Sequence, residues 1–389
     1  MPIPLAPPIP FTAPHVSLNR VHIVDLPGIP MDDEVRGQLA NALLSFHAVE
    51  RYVQALAAPL RLPAAWREEV LDAGARAQLG PFVNERLRSE APGVAAAAQA
   101  IAVRLGRNLG HLLLTLHRGD AVNRAVRPDW TADDWARWAG IRQVWLGGGF
   151  MSGELGRNII AAAQNWLRGV GYGDRFGLGL SGAHSSDDAN SHMPFLVLLG
   201  AARYLPFATA RAVCLDFGHS SVKRAYLQFA ADETASQPLA SMSLYAGQPV
   251  ELERLGAPDR LLEFMVSAIA QTFVESWRAG CALEPDVMVS LGAYARDGQV
   301  LTSPLYQQLH AFGEDAREVL GAAVSQRLQQ TVRVRLIHDG TAAAAVHAGE
   351  PHTAVIVVGT GLGIGFAPAS ASGLRPLASI VRARPLSGP

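Results

Sequence analysis

The chain has very little lysine and cysteine. Of its 389 residues, 33 are lysine or arginine, and only Lys223 is lysine. A compact ammonium and a planar guanidinium are not interchangeable where a cation must approach a phosphate, so the surroundings of the single lysine are of interest. The two cysteines, Cys214 and Cys281, form no CxxC pair, which excludes a disulfide framework and a cysteine zinc site within one chain. We expect both cysteines to be buried.

Neither charge nor hydropathy indicates a nucleic-acid or membrane partner. The 33 basic and 34 acidic residues leave a formal net charge of -1, so the chain has no global field to attract a polyanion. The longest apolar helical stretch, residues 94–116, is interrupted by Arg104, Arg107 and His111. The N-terminus reads "MPIPLAPPIP", without the charge and apolar run of a signal peptide. We therefore expect a soluble cytoplasmic protein that binds neither nucleic acid nor membrane.

The alternation of helical and extended patterns predicts an α/β fold. Thr131, with Asp134 three residues later, is a predicted helix N-cap, and the nearby tryptophans are expected to pack rather than to bind a ligand. Period-two apolarity after a strand at 211–217 predicts an antiparallel partner joined to it by a hairpin. Other strands are predicted to end at 146 and 337 and to span 286–292 and 353–366, and helices are predicted within 32–116, up to about 168, at 188–203, 258–278 and 306–328, and from 341.

The stretch "VCLDFGHSSVKR", residues 213–224, has the composition of a phosphate-binding turn. Asp216 ends an apolar strand, where a carboxylate can hold a hydrated magnesium ion. Gly218, Ser220 and Ser221 follow it and can present amides and hydroxyls to phosphate oxygens. Lys223, seven residues after the carboxylate, can neutralise their charge.

A second glycine-rich turn could also bind phosphate, and a further carboxylate also stands at the end of a strand. In "VVGTGLGIGF", a strand is followed by a turn whose glycines permit a ligand to approach the backbone closely. The residues of this predicted turn are Gly359, Thr360, Gly361 and Gly363. Asp339, in "IHDGT", lies between a strand and a helix, the usual place of an active-site base in α/β folds.

Several well-known motifs are excluded. A dinucleotide fingerprint fails because Ile364 and Phe366 stand where its last glycine is required. A Walker A loop fails because the lysine follows Val222 and not glycine. The sequence has no GxSxG elbow before a plausible triad and no HExxH zinc helix.

Together these segments resemble the superfamily of sugar kinases, actin and Hsp70, and most closely its ROK branch of bacterial sugar kinases and regulators. "LDFGHSSVK" resembles the first phosphate loop, with a lysine spacing nearer to that of actin, and "VVGTGLGIGF" resembles the second. "RLIHDGTAAAAV" is similar to the segment with the ROK catalytic aspartate, and "VWLGGGF" to the strand and adenosine turn. The resemblance covers most of residues 94–366 and implies a two-lobed ribonuclease-H-like fold of the actin/hexokinase (ASKHA) type.

The order of these segments is rotated relative to the family, in which the first phosphate loop comes first and the adenosine turn last. Here the adenosine turn is at 147–149 and the first loop begins at 216. We therefore predict a circular permutation, which is tolerated when the original termini lie close together at the surface. The predicted nucleotide-binding lobe comprises residues 1–204 and 338–389, and residues 205–337 form a second lobe that carries the first phosphate loop.

The chain also departs from the ROK pattern. The family's zinc motif and its Glu-x-Gly-His stretch are absent, so we expect no structural zinc. His338 replaces the asparagine that the family has before its catalytic aspartate, and Ser303 stands about where the family has a loop asparagine near the sugar. These two residues are the predicted substrate-binding positions.

The resemblance implies an ATP-dependent phosphotransferase that acts on a hydroxyl of a sugar-like small molecule, with ATP and Mg²⁺ as cofactors. Asp216 would hold magnesium through water, the phosphate loops would position the γ-phosphoryl group, and Asp339 would accept the hydroxyl proton. The backbone that would approach the adenosine is Gly147, Gly148 and Gly149.

Two alternatives stay open. One is a nucleotide- or sugar-binding regulator without turnover, although residues 1–90 contain no convincing winged helix. The other is an actin-like ATPase, which the spacing of Lys223 favours. The sequence leaves the acceptor unnamed and the oligomeric state open, with a homodimer as one option.

Overall fold

A computed structural model describes residues 7–67, 71, 73–181, 195–229, 239–250, 255–376 and 378–381. The chain divides into two compact units. We call the first the six-stranded unit; it is drawn from Met1–Pro14, Val197–Gly349 and Pro368–Pro389. The second, the four-stranded unit, is drawn from His15–Leu196 and Glu350–Ala367. No helix among the described residues is both long and apolar enough to cross a bilayer.

The strands are β1 His22–Ile23, β2 Gln38–Leu39, β3 Gln143–Gly147, β4 Gly177–Leu180, β5 Arg211–Phe217, β6 Ser221–Phe229, β7 Leu239–Pro249, β8 Asp286–Leu291, β9 Ala295–Arg296, β10 Gln299–Val300, β11 Arg333–His338, β12 Thr353–Val358, β13 Leu362–Phe366 and β14 Ala378–Val381. The α-helices are α1 Ala40–Leu44, α2 Phe46–Ala55, α3 Ala57–Leu60, α4 Ala73–Leu87, α5 Pro92–Arg118, α6 Ala121–Ala125, α7 Ala132–Gly140, α8 Gly153–Gly169, α9 Leu196–Ala202, α10 Pro258–Arg278, α11 Pro304–Gln307, α12 Ala316–Leu328 and α13 Asp339–Ala345.

The larger sheet has the strand order β11-β8-β5-β6-β7-β14. β5 is parallel to β8 and antiparallel to β6, and β8 is parallel to β11. β5 and β8 are nearly continuous apolar runs and are almost wholly buried, as expected of central strands with both faces covered. One face of this sheet packs on α10 and α12 around a core that includes Phe217, Phe273 and Tyr306.

The smaller sheet has the order β13-β12-β3-β4. β12 is antiparallel to β13 and parallel to β3, and β3 is parallel to β4. Because β3 and β4 precede β12 and β13 in the chain, this sheet is completed only by the C-terminal part of the sequence. In both sheets, the first strand of an antiparallel pair is followed on its other side by two parallel strands. These are β8 and β11 beside β5, and β3 and β4 beside β12.

The helices of the four-stranded unit are held together by a close crossing of α5 and α8. α5 begins with Pro92 in its first turn, and Gly119, which follows its last residue, has a φ of 52°, the left-handed conformation typical of a helix C-terminus. At Gly106, a Cβ atom would lie 2.5 Å from both Cβ of Ala162 and the carbonyl oxygen of Ile159. The crossing therefore requires glycine at this position.

Most of the predicted elements are confirmed, and several boundaries are wrong. The strand at 211–217, its antiparallel partner, the helix at 258–278 and the Thr131 capping box are present. The predicted strand 353–366 is a hairpin of two strands, because its glycine turn reverses the chain. The predicted helix 306–328 is interrupted between 311 and 316. The predicted helix at 188–203 falls partly on residues 182–194, outside the described residues, and α9 covers its C-terminal part.

Two further expectations are corrected. β14, at 378–381, was not predicted, since its segment has little periodicity; it joins the larger sheet beside β7. Cys214 is buried as expected, but Cys281 is partly exposed because it follows the C-terminal end of α10.

The predicted lobe boundaries differ from those of the two compact units. The prediction grouped residues 338–349 with the nucleotide-binding lobe, whereas they lie in the six-stranded unit. The reason is local, since α13 follows β11 directly and packs on β11 and β8. Asp339 therefore belongs to the same unit as Asp216.

The α5–α8 crossing generates a stability prediction. Gly106→Ala is expected to lower the free energy of unfolding by about 1–3 kcal/mol, because the added methyl group overpacks a closed helix contact. Gly93→Ala in the same helix is the control, because a Cβ atom there meets nothing within 4 Å. Urea unfolding followed by circular dichroism measures both, and equal free energies for the two variants would contradict the requirement for glycine at 106.

Candidate functional site

Two predicted carboxylates lie at the same edge of the larger sheet. Asp216 stands near the C-terminal end of β5, and Asp339 follows the C-terminal end of β11. Because β5, β8 and β11 are parallel, their C-terminal ends lie together. Asp216 is 3% exposed, whereas the side chain of Asp339 is 21% exposed, so Asp339 is the carboxylate that a small molecule reaches more easily.

The single lysine is paired with Asp216. Asp216 and Lys223 are direct cross-strand partners of the β5–β6 hairpin, and Nζ of Lys223 lies 2.8 Å from Oδ2 of Asp216. The hairpin explains their spacing of seven residues, since the turn between them has only three residues. Lys223, which was predicted to meet a phosphate, thus contacts a carboxylate in this structure and is 22% exposed.

The turn between the two strands is formed by the predicted phosphate-loop residues. The N–H of Gly218 donates to the carbonyl oxygen of Ser221 at 3.1 Å, which closes the turn. The carbonyl oxygen of Ser220 accepts from the N–H of Val250 at 2.9 Å, which ties the turn to the end of β7. The structure thus brings Gly218, Ser220 and Ser221 together beside the ion pair.

Burial and a neighbouring negative charge change the protonation of Asp339. Burial raises the pKa of Asp339 to about 7, and the charge of Asp216 acts in the same direction. The backbone N–H of Gly340, 2.5 Å from Oδ1, and the charge of Lys223 oppose this rise. Asp339 therefore changes charge near neutral pH, which suits a general base.

His338 is a neutral, enclosed side chain. Burial lowers the pKa of His338 to about 3, so the ring is uncharged at neutral pH. Its Nδ1 accepts from the backbone N–H of Thr341 at 3.3 Å, and its Nε2 lies 3.1 Å from Oδ1 of Asp339. The ring also stacks on Tyr294 with centroids 4.0 Å apart. This predicted substrate-binding residue directs both ring nitrogens towards protein atoms.

Ser303 is the residue before a short helix, α11, that carries a buried tyrosine close to the carboxylates. It precedes α11 with a φ of 65°, an uncommon conformation for a residue other than glycine. Tyr306 of α11 donates its hydroxyl to the carbonyl oxygen of Phe217 at 2.7 Å. Burial, with the charges of Asp216 and Asp339, raises the pKa of Tyr306, which keeps the phenol protonated. Ser303 is thus connected to the site through α11.

Sequence reasoning missed four residues near the carboxylates: His219, Gly292, Tyr294 and Tyr306. A Cβ atom at Gly292 would lie 3.0 Å from Nδ1 of His219 and 3.9 Å from Oδ2 of Asp339, so the lack of a side chain lets the ring of His219 lie against the backbone here. The ring of His219 also meets that of Tyr306 edge to face, with centroids 5.9 Å apart. Gly292 directly follows β8. Its place after a buried strand was the one feature of the sequence that could have indicated a residue of this site.

The second glycine turn lies in the four-stranded unit, between β12 and β13. The N–H of Gly359 donates to the carbonyl oxygen of Gly361 at 2.9 Å, and the carbonyl oxygen of Gly359 accepts from the N–H of Phe46 at 2.8 Å. Thr360 lies inside this turn, and Gly363 pairs with Val357 in the following strand. The structure thus brings the predicted residues together as one β-hairpin turn.

The three consecutive glycines at the end of β3 have different roles. Gly148 has a φ of 108°, and a Cβ atom there would lie 2.1 Å from the carbonyl oxygen of Val358. At Gly147 a Cβ atom would lie 2.5 Å from Cδ2 of Leu196. Packing therefore accounts for these two glycines. Gly149 is exposed, and a Cβ atom there meets nothing within 4 Å, so a ligand can approach its Cα, although its carbonyl oxygen accepts from the hydroxyl of Ser152.

Asn84, a residue that sequence reasoning also missed, holds this turn to the start of α8. Its Oδ1 accepts from the N–H of Leu155 at 2.8 Å, and its Nδ2 donates to the carbonyl oxygens of Gly80 and Ser152. The carboxamide thus satisfies backbone groups at the beginning of α8.

Among the described residues, no group of three or more histidine, cysteine or acidic side chains could hold a metal ion. The expected absence of structural zinc stays a prediction. No protein-family model matches the chain, and no curated protein matches it.

The raised pKa of Asp339 generates a stability prediction. A carboxyl group whose pKa is higher in the folded state than in the unfolded state stabilises the fold below its unfolded pKa, and this contribution is lost as the pH rises to about 7. Asp339→Asn mimics the neutral form, so its free energy of unfolding relative to the wild type is expected to increase by about 2–3 kcal/mol between pH 5 and pH 8. Urea unfolding at both pH values measures this change.

Asp286→Asn is the control for this prediction. Although burial raises the pKa of Asp286, hydrogen bonds from Arg333 and Thr209 lower it below its ordinary value. This variant is therefore expected to lose stability, and to lose more at pH 8 than near pH 3. The interpretation of Asp339 is wrong if Asp339→Asn shows the same pH dependence as Asp286→Asn.

Proposed function

We propose that this chain is an ATP-dependent phosphotransferase that transfers the γ-phosphoryl group to a hydroxyl of a sugar-like small molecule. One observation carries the proposal: Asp339, with a pKa of about 7, stands at the C-terminal edge of the larger sheet near the Asp216–Lys223 pair. A base that is partly ionised at neutral pH, next to a fixed cation, suits removal of a proton from an alcohol.

The strand orders support a circularly permuted ribonuclease-H-like fold of the ASKHA type. In the larger sheet, an antiparallel meander β5-β6-β7 is followed along the chain by β8 and β11 on the other side of β5. In the smaller sheet, β12 and β13 correspond to the start of such a meander, and β3 and β4 to its two parallel strands. These parallel strands come first in the chain, which is the order that a permutation of a duplicated fold produces.

The side chains at the larger sheet give each predicted residue a chemical role. Asp339 would accept the proton of the acceptor hydroxyl as the new phosphate ester bond forms and the bond from the γ-phosphorus to the leaving oxygen breaks. His338, fixed through Thr341, would hold the Asp339 carboxylate in place.

The carboxylates fit a magnesium site of the kind used with nucleotides. Magnesium is usually bound through one or two carboxylates, several waters and phosphate oxygens, so two neighbouring acidic residues are enough. Asp216 would hold the ion through water, and the ion would supply neutralisation of phosphate charge. Lys223 shares that role as a second cation beside Asp216.

The glycine turns of the four-stranded unit supply the proposed nucleotide contacts. Gly149 is exposed and free of packing constraints, which leaves its backbone accessible to adenosine. The turn from Gly359 to Gly361 has no side chain larger than threonine, and because the N–H of Gly359 is bonded within the turn, a phosphate would meet the amides of Thr360 and Gly361.

One observation favours a regulator that binds nucleotide without turnover. His338 replaces a residue that the ROK resemblance assigns to the sugar, and both of its ring nitrogens face protein atoms. A panel of hydroxyl substrates with ATP and magnesium separates the two functions, because only a phosphotransferase yields a phosphorylated acceptor. Substrate-independent hydrolysis with polymer formation would instead indicate an actin-like ATPase.

Asp339→Asn tests the role of the base. It is expected to lower phosphoryl transfer by about 10²- to 10⁴-fold while ATP affinity stays within a few fold, because the carboxylate acts on the acceptor. The panel assay and calorimetric titration with ATP provide the two measurements. Turnover close to that of the wild type would remove Asp339 from the mechanism.

Lys223→Met tests the role of the cation. It is expected to weaken ATP binding about tenfold or more and to leave adenosine binding nearly unchanged, because only ATP carries phosphates. Lys223→Arg should restore part of the loss. Arg224→Met is the control, since Arg224 is the next residue of β6 but pairs with Glu275 of α10. Equal effects of Lys223→Met on the two ligands would contradict a phosphate contact.

A further inference from the structure

The side chain of Asn19 binds the backbone at the end of the β12–β13 turn. Its Oδ1 accepts from the N–H of Leu362 at 2.7 Å, and its Nδ2 donates to the carbonyl oxygen of the same residue at 3.2 Å. One carboxamide thus satisfies both polar backbone groups of Leu362, as a neighbouring β-strand would do. Asn19 lies 343 residues away in sequence, so no local pattern indicates this contact.

Gly361 is small enough to let this carboxamide lie against the turn. A Cβ atom at 361 would lie 3.0 Å from Oδ1 and 3.3 Å from Nδ2 of Asn19. The glycine therefore accommodates a side chain of the protein itself. On the other side of the turn, the carbonyl oxygen of Gly359 is held by the N–H of Phe46. The turn is fixed from two sides by segments distant in sequence.

The segment that carries Asn19 is itself held by buried residues. Arg127, 3% exposed, donates from Nη2 to the carbonyl oxygens of His15 and Ser17 at 2.5 and 2.9 Å. Nε1 of Trp130 donates to the same carbonyl oxygen of His15 at 2.6 Å. These bonds hold the backbone just before Asn19, which favours the position of its carboxamide against Leu362.

From these contacts we infer that Asn19 is a positioning residue for phosphate binding: it holds the β12–β13 turn in the conformation in which the turn accepts the phosphates of ATP. This inference rests on the proposed function. A turn fixed in advance loses less conformational freedom when a ligand binds, and its amides are already oriented towards the anion. The amide of Leu362 is occupied by Asn19, so phosphate recognition is assigned to Thr360 and Gly361.

Asn19→Ala tests the inference with two measurements. Hydrogen exchange of the peptide that contains Leu362 is expected to become at least about tenfold faster, because the amide loses its acceptor. Calorimetric titration is expected to show ATP affinity lowered about tenfold and adenosine affinity changed less than about twofold, since one positioning hydrogen bond is typically worth a factor of ten. Asn19→Asp keeps the acceptor for the N–H of Leu362 but loses the donor, so its exchange rate should lie between those of the wild type and Asn19→Ala.

Asn123→Ala is the matched control. Asn123 is also a carboxamide bound to backbone in the four-stranded unit, accepting from the N–H of Val24 and donating to the carbonyl oxygen of Asp25. This variant should leave exchange at Leu362 and the ATP-to-adenosine ratio as in the wild type. Equal losses of ATP affinity in Asn19→Ala and Asn123→Ala overturn the inference, and so does faster exchange without a change in ATP affinity. A wild-type protein that binds no ATP overturns the proposed function itself, and the phosphate role of Asn19 with it.

Discussion

The pairing of β5 with β6 and β8 is the constraint on which the candidate site depends. Antiparallel pairing with β6 puts Asp216 directly opposite Lys223, and parallel pairing with β8 puts it beside Ser290. A slip of one residue would turn Asp216 to the other face of the sheet and would separate the ion pair. The buried apolar residues of β5 fix the register, so the same burial that stabilises the sheet also positions the charge.

The single ammonium group of Lys223 cannot form an equally close ion pair with both carboxylates. Lys223 bonds Asp216, and Asp339 is left with Gly340 and His338 as near partners. Burial, with the charge of Asp216 acting in the same direction, raises the pKa of Asp339, and this rise is a cost in stability at and above that pKa, which a purely structural position would avoid by having a neutral residue. A costly ionisable group at the end of a parallel strand is the kind of departure from good packing that functional sites show.

The sequence allowed the local elements to be predicted, since they depend on neighbours along the chain. The strand at 211–217, its hairpin partner and the capping box at Thr131 follow from apolar periodicity and hydroxyl chemistry within a few residues. The positions of Asp216 and Asp339 at strand ends were predicted for the same reason. Tyr306, His219 and Asn19 were missed because their roles arise from contacts across 89, about 70 and 343 residues, where periodicity carries no information.

The roles of the glycines are where the prediction from the sequence and the observed structure differ most. In sequence, the three glycines at the end of β3 and those after β12 have one interpretation, a backbone open to a phosphate or an adenosine. In the structure, Gly148 allows β3 and β12 to approach, Gly106 allows two helices to cross, and Gly361 makes room for Asn19. Gly149, by contrast, has nothing within 4 Å of the place where its Cβ atom would be. A glycine thus indicates that something lies close to the backbone, and whether that neighbour is a ligand or the protein itself depends on the tertiary fold.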